Sequence, residues 1–262
     1  MTLTVTIITK NEERNIRRCL ESVRFADEII VLDSGSTDNT VAIAREYTEH
    51  VFSTDWPGYG AQKQRALSKA RGDWVLNLDA DESVSEELQR EIMESMASDS
   101  ADAFRIAIQM HFYNKPLKYS SSPKRHIRLF KRANAYFSDD IVHEKIVLPE
   151  GARIGKIKSA IKHHSFKDVS HVLYKMNKYS SYSAKTYIQK KRTPSFIKTM
   201  ASTSWMFLRC YILQCGFLDG RIGFLFAVFN AQGTFYRGIK QLYQDIDMEQ
   251  LPSLAKSTEE LV

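Results

Sequence analysis

The chain has 262 residues, 43% of them hydrophobic, a formal net charge of +6 at pH 7 and a sequence pI of about 9.1. This length suits one large catalytic domain with a smaller appendage, and the charge favours an anionic partner such as a nucleotide sugar, a nucleic acid or an acidic membrane surface. The three cysteines, Cys19, Cys210 and Cys215, lack the paired spacing of a zinc site or a disulfide framework, so we expect reduced thiols.

The first hundred residues alternate between strand and helix patterns. Leu3–Thr9 and Glu28–Leu32 are apolar runs typical of strands in a buried sheet, and between them Ile16, Leu20 and Val23 recur at helical spacing. Further predicted elements are a helix over 40–47, a strand over 51–52, a helix over 62–70 and a strand over 74–78. The alternation predicts a parallel, doubly wound sheet. Because the chain opens on a strand and lacks signal-peptide features, we expect it to stay in the cytoplasm.

The pattern changes after residue 100. Candidate strands at 103–110, 127–130 and 145–148 are separated by polar loops and predict an antiparallel or mixed extension. From Arg153 to Lys198 every charged residue except Asp168 is basic, which indicates a strongly positive surface.

Aromatic residues are dense from Phe196 to Tyr243, where Arg209, Asp219 and Arg221 interrupt the apolar pattern. No stretch there reaches the roughly 18 uncharged apolar residues that a spanning helix needs, which favours amphipathic helices lying on a bilayer. We therefore predict a catalytic domain over 1–150, a basic, aromatic and mainly helical region over 151–245 that meets the acceptor or the membrane surface, and a polar tail over 246–262.

An acidic cluster follows the apolar run Trp74–Leu78, at the strand end where open α/β sheets bind their ligands. The carboxylates of Asp79 and Asp81 can hold Mg²⁺ or Mn²⁺, which would bridge them to a diphosphate and neutralise the charge of that leaving group. The alternative is that Asp81 and Glu82 only begin the next helix, where acidic side chains are favoured.

A polar loop, Asp33–Thr40, follows the second predicted strand and contains Gly35. The carboxylate of Asp33 can accept from a uracil or ribose donor, whereas as a structural group it would need a local partner. Asp38 is more simply explained as a helix N-cap. The loop and the following helix N-terminus predict a pocket that suits a nucleoside.

Five segments together resemble the family-two inverting glycosyltransferases of GT-A fold, in order and spacing: Thr6–Glu12, Val31–Asp38, Gly60–Ala66, Ala70–Val75 and Leu78–Glu82. The resemblance is dense over the first hundred residues and looser at 128–132 and 142–144. It implies a mixed, mainly parallel sheet flanked by helices. Many members have Asp-Asp where this chain has Asp81-Glu82, so the role of Glu82 stays open.

The resemblance also implies roles for individual residues. Asp33 would contact the uracil, Lys63 the nucleotide, Asp79 the ribose or the metal, and Asp81 the metal, which would be Mg²⁺ or Mn²⁺. The remaining candidates for nucleotide-sugar binding are Thr9, Glu12 and Arg128. The guanidinium of Arg128 could bind a donor or acceptor phosphate in a bidentate fork.

Inversion requires a base that removes the proton of the acceptor hydroxyl. Glu144 is our candidate, because it matches the His-Glu position of the resembling branch of the family. Asp139 and Asp140 are rivals, and Glu144 could instead be a surface carboxylate that pairs with Lys145. His163 or His164 could complete the metal site, although a structural role suits either histidine as well.

The segment Gly216–Phe224, behind the His-Glu motif, resembles the lipopolysaccharide inner-core β-1,4-glucosyltransferases. That resemblance implies UDP-glucose as donor, a phosphorylated glycolipid acceptor and a peripheral position on the inner face of the cell membrane, with no nucleic acid partner. Six basic residues would then face the anionic lipid of the inner leaflet: Lys162, Lys175, Lys178, Lys190, Lys191 and Arg192.

Other functions remain open. A similar transferase could act on a polyprenyl phosphate carrier or a surface polysaccharide. A sugar-nucleotide nucleotidyltransferase would have a Gly-rich basic loop after the first strand, and Thr9–Glu13 is not such a loop. A membrane or RNA-binding module without catalysis would not need Asp33, Asp79 and Asp81 at strand ends.

Overall fold

The computed structural model describes residues 1–112, 115–120, 124–138, 145–166, 168–191, 193 and 195–244. These residues form two compact units, which we call the sheet unit (the described residues of 1–108 and 124–163) and the helical unit (those of 109–120 and 164–244). The predicted division after residue 150 does not coincide with these units, because residues 154–163 belong to a strand of the sheet unit. The predicted polar tail, 246–262, lies outside the described residues.

The elements up to residue 112 are β1 Leu3–Thr9, α1 Ile16–Glu21, β2 Glu28–Asp33, α2 Thr40–Arg45, β3 Val51–Ser53, α3 Tyr59–Lys69, β4 Trp74–Asp79, β5 Glu82–Ser83, α4 Glu86–Ala97 and β6 Ala103–Phe112. Those that follow are β7 Lys115–Pro116, β8 Lys124–Lys131, β9 Tyr136–Phe137, β10 Ile146–Val147, β11 Ile154–Phe166, α5 Val169–Gln189, α6 Phe196–Leu208 and α7 Gly220–Tyr243. A π-helical turn, Arg209–Leu213, and a 3-10 turn, Gly216–Asp219, lie between α6 and α7.

The main sheet has the strand order β3-β2-β1-β4-β8-β6-β11-β5, and β7 pairs with β6. Strands β1 to β4 are mutually parallel, whereas β8 pairs antiparallel with both β4 and β6, and β11 pairs antiparallel with β5. Strands β9 and β10 form a separate two-stranded sheet. The predicted mixed, mainly parallel α/β sheet flanked by helices is confirmed, and the predicted late strands correspond to β6, β8 and β10.

The central strands are almost wholly buried because both faces of the sheet are covered. One face, with Val5 and Leu76, packs against α1 and α4, whose buried side chains include Leu20 and Leu88. The opposite face, with Ile30 and Leu32, packs against α3. This three-layer arrangement fixes the ends of β1, β2 and β4 in a rigid frame.

The sequence analysis did not predict β11. Its buried Ile157 and Ile161 alternate with the exposed Lys156, Lys158 and Lys162, which is the period of a strand with one solvated face. The strand was missed because its lysines were interpreted as part of a continuous basic surface.

In the helical unit, α7 packs against both α5 and α6. Its small apolar core contains Phe112, Leu117 and Val172. None of the described helices is by itself long and apolar enough to cross a membrane. The segments Phe196–Leu213 and Gly216–Tyr243, bent by 69° at the break between them, pass that test as a pair by length and composition.

Candidate functional site

The carboxyl ends of three parallel strands bring the predicted site residues to one edge of the sheet. In the register of these strands, Ile8 of β1 lies beside Asp79 of β4, and Thr9 lies beside Asp33 of β2. Open α/β sheets bind their ligands at this edge. The sequence-based placement of these three polar residues in one neighbourhood therefore agrees with the strand register.

Asp33 is buried, and its carboxylate has the local partners that a structural role requires. Its Oδ2 accepts from the backbone N–H of Gly35 at 3.0 Å and of Ser36 at 2.9 Å. Gly35 has φ +83°, a conformation that side chains other than glycine's rarely adopt. Asp33 thus shapes the loop after β2, while its predicted contact with a uracil stays a prediction.

Hydrogen bonds join the loop after β1 to the loop after β2. The N–H of Asn11 donates to Ser36 Oγ at 2.8 Å, and Asn11 Oδ1 accepts from the N–H of Thr37 at 2.8 Å. The N–H of Glu12 donates to Thr40 Oγ1 at 2.8 Å, and the Glu12 carboxylate accepts from Asn15 Nδ2 at 2.6 Å. Glu12 therefore helps to build the loop pair, and its predicted contact with the nucleotide sugar stays a prediction.

Two buried polar atoms near this edge lack a hydrogen-bond partner among the described residues. They are Thr9 Oγ1 and Gln62 Oε1. The amide nitrogen of Gln62 donates to Ser34 Oγ at 2.9 Å and Thr54 Oγ1 at 2.8 Å, which fixes the direction of the side chain. Because buried polar groups are normally paired, both atoms are suited to contact a polar ligand or a bound water. Thr9 was predicted and Gln62 was not, although both sit in segments that carry the family resemblance.

Asp79 lies between two buried cations. Lys63 Nζ, on α3, is 3.1 Å from Asp79 Oδ1, and Arg128 Nη2, on β8, is 3.1 Å from Asp79 Oδ2. Burial acts to raise the pKa of Asp79, but the charges of Lys63 and Arg128 outweigh it and hold that pKa well below its ordinary value. The structure brings these three predicted residues together, and both Asp79 oxygens face protein cations.

The carboxylate of Glu82 is hydrogen-bonded to both Arg128 and Asp79. Its Oε1 accepts from Arg128 Nη2 at 2.7 Å, and its Oε2 accepts from the N–H of Asp79 at 2.9 Å. Burial, opposed by the charge of Arg128 and reinforced by that of Asp79, raises the pKa of Glu82 to about 7. Arg128 also donates to Asn77 Oδ1 at 3.2 Å. The open question about Glu82 thus has a structural answer: it fixes Arg128 and the backbone of Asp79.

Asp81 pairs with His163 in the sheet unit, with 3.0 Å between Asp81 Oδ2 and His163 Nε2. The antiparallel pairing of β11 with β5 sets His163 opposite Glu82. Burial acts to lower the pKa of His163, but the hydrogen bond and charge of Asp81 raise it to about 9. At neutral pH the histidine is therefore cationic and stabilises the Asp81 carboxylate.

A carboxylate and an imidazole in contact are donors that Mg²⁺ or Mn²⁺ accepts, and binding a cation would release the histidine's proton. Within the part of the chain that the structure describes, no group of three or more His, Cys, Asp and Glu side chains is placed to hold a metal ion. With a bound diphosphate and water as further ligands, the Asp81–His163 pair would supply two of the ligands of such a cation.

The remaining predicted residues are either outside the described residues or in the helical unit. Glu144, Asp139 and Asp140, the candidates for the base, are outside the described residues, as is Arg192. His164 belongs to the helical unit, where its ring lies 5.1 Å from that of His111, centroid to centroid.

Comparisons with known proteins agree with the predicted family. Residues 4–149 match the family model described as Glycosyl transferase family 2. An uncharacterized glycosyltransferase of Rickettsia bellii is 34% identical over 243 residues, which cover 88% of this chain and 83% of that protein. The lipopolysaccharide core biosynthesis glycosyltransferase LpsC of Rhizobium meliloti is 30% identical over 265 residues, covering 94% of this chain and 96% of LpsC.

Among solved structures, S. aureus TarS 1-349 in complex with UDP-GlcNAc aligns with a TM-score of 0.48 and 16% identity, covering 93% of this chain and 92% of that one. The family model spans more than half of the chain, and the relatives match nearly all of it. The prediction of a family-two glycosyltransferase is confirmed, and the chain belongs to glycosyltransferase family 2.

Proposed function

We propose that the protein transfers a hexose, specifically glucose from UDP-glucose, to a heptose of the lipopolysaccharide inner core, with inversion, at the cytoplasmic face of the membrane. The observation that carries the proposal is the joint placement of Lys63, Arg128 and the Asp81–His163 pair around Asp79. Cations beside a potential metal-binding pair suit a nucleoside diphosphate. The core-biosynthesis role in the name of the Rhizobium meliloti relative supports the acceptor class.

Each residue of the network then has a role. Asp81 and His163 would hold Mg²⁺ or Mn²⁺, which supplies electrostatic stabilisation for the departing diphosphate. Lys63 and Arg128 exchange part of their pairing with Asp79 for contacts to donor phosphate oxygens. Asp79 holds both cations until they contact the phosphates, and its carboxylate then turns toward the ribose. Thr9 and Gln62 offer polar atoms to the donor.

Inverting transfer needs a base on the acceptor side. The acceptor oxygen forms its bond to the anomeric carbon, the bond from that carbon to the diphosphate breaks with its electron pair, and the hydroxyl proton passes to the Glu144 carboxylate. Replacing Glu144 by Gln should keep donor binding and abolish transfer. If the Glu144→Gln variant retains turnover, the catalytic base is instead Asp139 or Asp140.

The acceptor proposal places the protein at the anionic inner leaflet. Support comes from the charge of the helical unit, where Lys190 and Lys191 are exposed at the end of α5. Lys178, on the same helix, is buried, so the prediction that it faces lipid is wrong. Basic side chains near such a surface contribute roughly 1 kcal/mol each to binding. A polyprenyl phosphate carrier would be attracted in the same way, so the acceptor must be identified by assay.

The deciding experiment measures UDP release from a panel of UDP-sugars, with truncated lipopolysaccharide or polyprenyl phosphate as acceptor, in Mg²⁺, Mn²⁺ or EDTA. We expect turnover with UDP-glucose and heptose-terminated lipopolysaccharide, lost in EDTA. Asp81→Asn should reduce turnover about a hundredfold or more, whereas Asp55→Asn, at an exposed carboxylate paired with Arg65, should leave it unchanged. Turnover with polyprenyl phosphate alone would reject the acceptor, and full activity of Asp81→Asn in EDTA would reject the metal.

A further inference from the structure

The connection between α6 and α7 carries an unusual surface, which we call the hairpin tip (Trp205–Leu225). Its exposed apolar side chains are Trp205, Leu208, Ile212, Leu213, Phe217, Leu218, Phe224 and Leu225. Leu213 and Leu218, on either side of the break, are 62% and 55% exposed. Eight exposed large apolar side chains within 21 residues of sequence, on two helices and the turns that join them, indicate an interaction site.

Acidic residues are rare around the tip, and their carboxylates are hydrogen-bonded. Between His164 and Gln244 the sequence has two acidic residues, Asp168 and Asp219, and both carboxylates accept backbone N–H bonds. Asp219, which lies within the tip, accepts from the N–H groups of Lys118, Tyr119 and Ser120 at 2.8 to 3.1 Å and from Ser120 Oγ at 2.7 Å. The half-buried Asp219 carboxylate is thus hydrogen-bonded within the helical unit.

The exposed charges of the tip are the cations Arg209 and Arg221. A surface with apolar side chains, cations and an internally bonded acid is complementary to an anionic bilayer. A protein partner of the same chain would meet a second set of cations, and like charges oppose that contact.

The backbone of the tip meets a requirement of the bilayer interior, where water cannot satisfy peptide groups. In the π-helical turn and the 3-10 turn, the N–H of Gln214 donates to Arg209 O, that of Cys215 to Ile212 O, and that of Leu218 to Cys215 O. Cys215 turns the chain with φ 55°. The chain thus bends by 69° between the two segments with these three N–H groups bonded.

We propose that the hairpin tip inserts into the hydrocarbon layer of an anionic membrane, entering and leaving from the same side. This deepens the membrane placement that the proposed function requires and rests on it for the choice of partner. Leu213, Phe217 and Leu218 penetrate furthest, and Arg209 and Arg221 remain at the level of the phosphates. This mode differs from helices lying flat among the headgroups, which would be held chiefly by charge.

Flotation with vesicles of phosphatidylethanolamine and phosphatidylglycerol tests the proposal. In about 1 M NaCl the Debye length falls to about 3 Å, so purely electrostatic binding is lost. We expect wild-type protein to stay bound at that salt. Leu213→Glu with Leu218→Glu should weaken partitioning about tenfold or more, because a charge in the hydrocarbon layer is costly.

The matched control is Ile197→Glu with Tyr243→Glu, which places two charges at apolar side chains that are 79% and 74% exposed in the same unit but outside the tip. This control should bind as the wild type does. UDP release with a water-soluble truncated acceptor, together with circular dichroism, should be the same for all three proteins and establishes that they are folded.

Three results would overturn the insertion. They are release of the wild type in about 1 M NaCl, tight binding of the tip variant, or equal losses in the tip variant and the control. A wild-type dimer that ignores vesicles and that the tip variant dissociates would instead assign the surface to a second copy. Absence of sugar transfer in every protein, with vesicle binding as expected, would reject the proposed function and leave the insertion intact.

Discussion

Arg128 makes two charged contacts in the candidate site, to Asp79 and to the fully buried Glu82. Replacing Arg128 by Gln leaves a buried carboxylate without its cation, so we expect the free energy of unfolding to fall by about 3 kcal/mol. Urea denaturation measures this loss. Arg65→Gln removes an exposed pair with Asp55 and should cost under about 1 kcal/mol. Equal losses in both variants would contradict the role of Arg128.

His163 gives the protein a distinct pH dependence. Its folded pKa of about 9 lies above the ordinary value of 6.5, so the stability contributed by its pair with Asp81 is complete below about pH 6.5 and is lost as the pH rises through about 9. We expect wild type to lose on the order of 2 kcal/mol more than His163→Gln over this window, measured by urea denaturation at its two ends. Parallel curves for the two proteins would exclude the ion pair.

The sequence predicted Asp33, Lys63, Asp79, Asp81 and Arg128 as site residues, because strand ends and motif spacing are local features. Their pairings were not predictable in the same way. The contact of His163 with Asp81 depends on the register of β11 against β5, across about eighty residues of chain. Gln62 was missed because the lack of a hydrogen-bond partner for its amide oxygen depends on the tertiary structure, which a sequence motif does not show.

At the level of elements, Gly223 allows α7 to begin directly against the 3-10 turn. A Cβ at this position would overlap the carbonyl oxygen of Gly216, so Gly223→Ala should lower the free energy of unfolding by about 2 kcal/mol or more. Gly233→Ala, in the middle of the same helix, would place its Cβ an acceptable 3.5 Å from Met176 and should stabilise by up to about 1 kcal/mol. Urea denaturation of the two variants compares them, and destabilisation by both would show that helix geometry rather than this close approach is responsible.

Element prediction succeeded where one physical signal dominated. Strands β1, β2 and β4 are buried on both faces and are therefore rich in apolar residues, although Thr4 and Thr6 interrupt β1 and Asn77 interrupts β4. The sequence of β11 has both the alternation of a strand and a high density of lysine. The lysines were interpreted only as a positive surface, so the strand was not predicted. The helices α6 and α7 were predicted as amphipathic, but the bend between them follows from Cys215 and the turns around it, which hydrophobic spacing does not encode.

Over the whole molecule, apolar burial is unevenly distributed. Every residue of β1 is buried, whereas α6 and α7 expose many of their large side chains. Amides of β1, β2 and β4 should therefore exchange with deuterium only through global unfolding, and those of α6 and α7 should exchange faster in the absence of lipid. Mass spectrometry of peptic fragments measures both, and protection of α6 equal to that of β1 would contradict this order.

The paired loops after β1 and β2 constrain how this protein can vary in length. Glu13 adds to the bonds of Asn11 and Glu12, since its N–H donates to Asp38 Oδ2 and its Oε2 accepts from the N–H of Asn39, both at 3.2 Å. Asn11, Glu12 and Glu13 therefore each bond to a fixed partner in the segment 36–40. A single insertion in either loop would shift every following bond by one place, so only matched changes in both loops can be accommodated. In engineering terms the two loops form one transplantable part, which must be exchanged between relatives together.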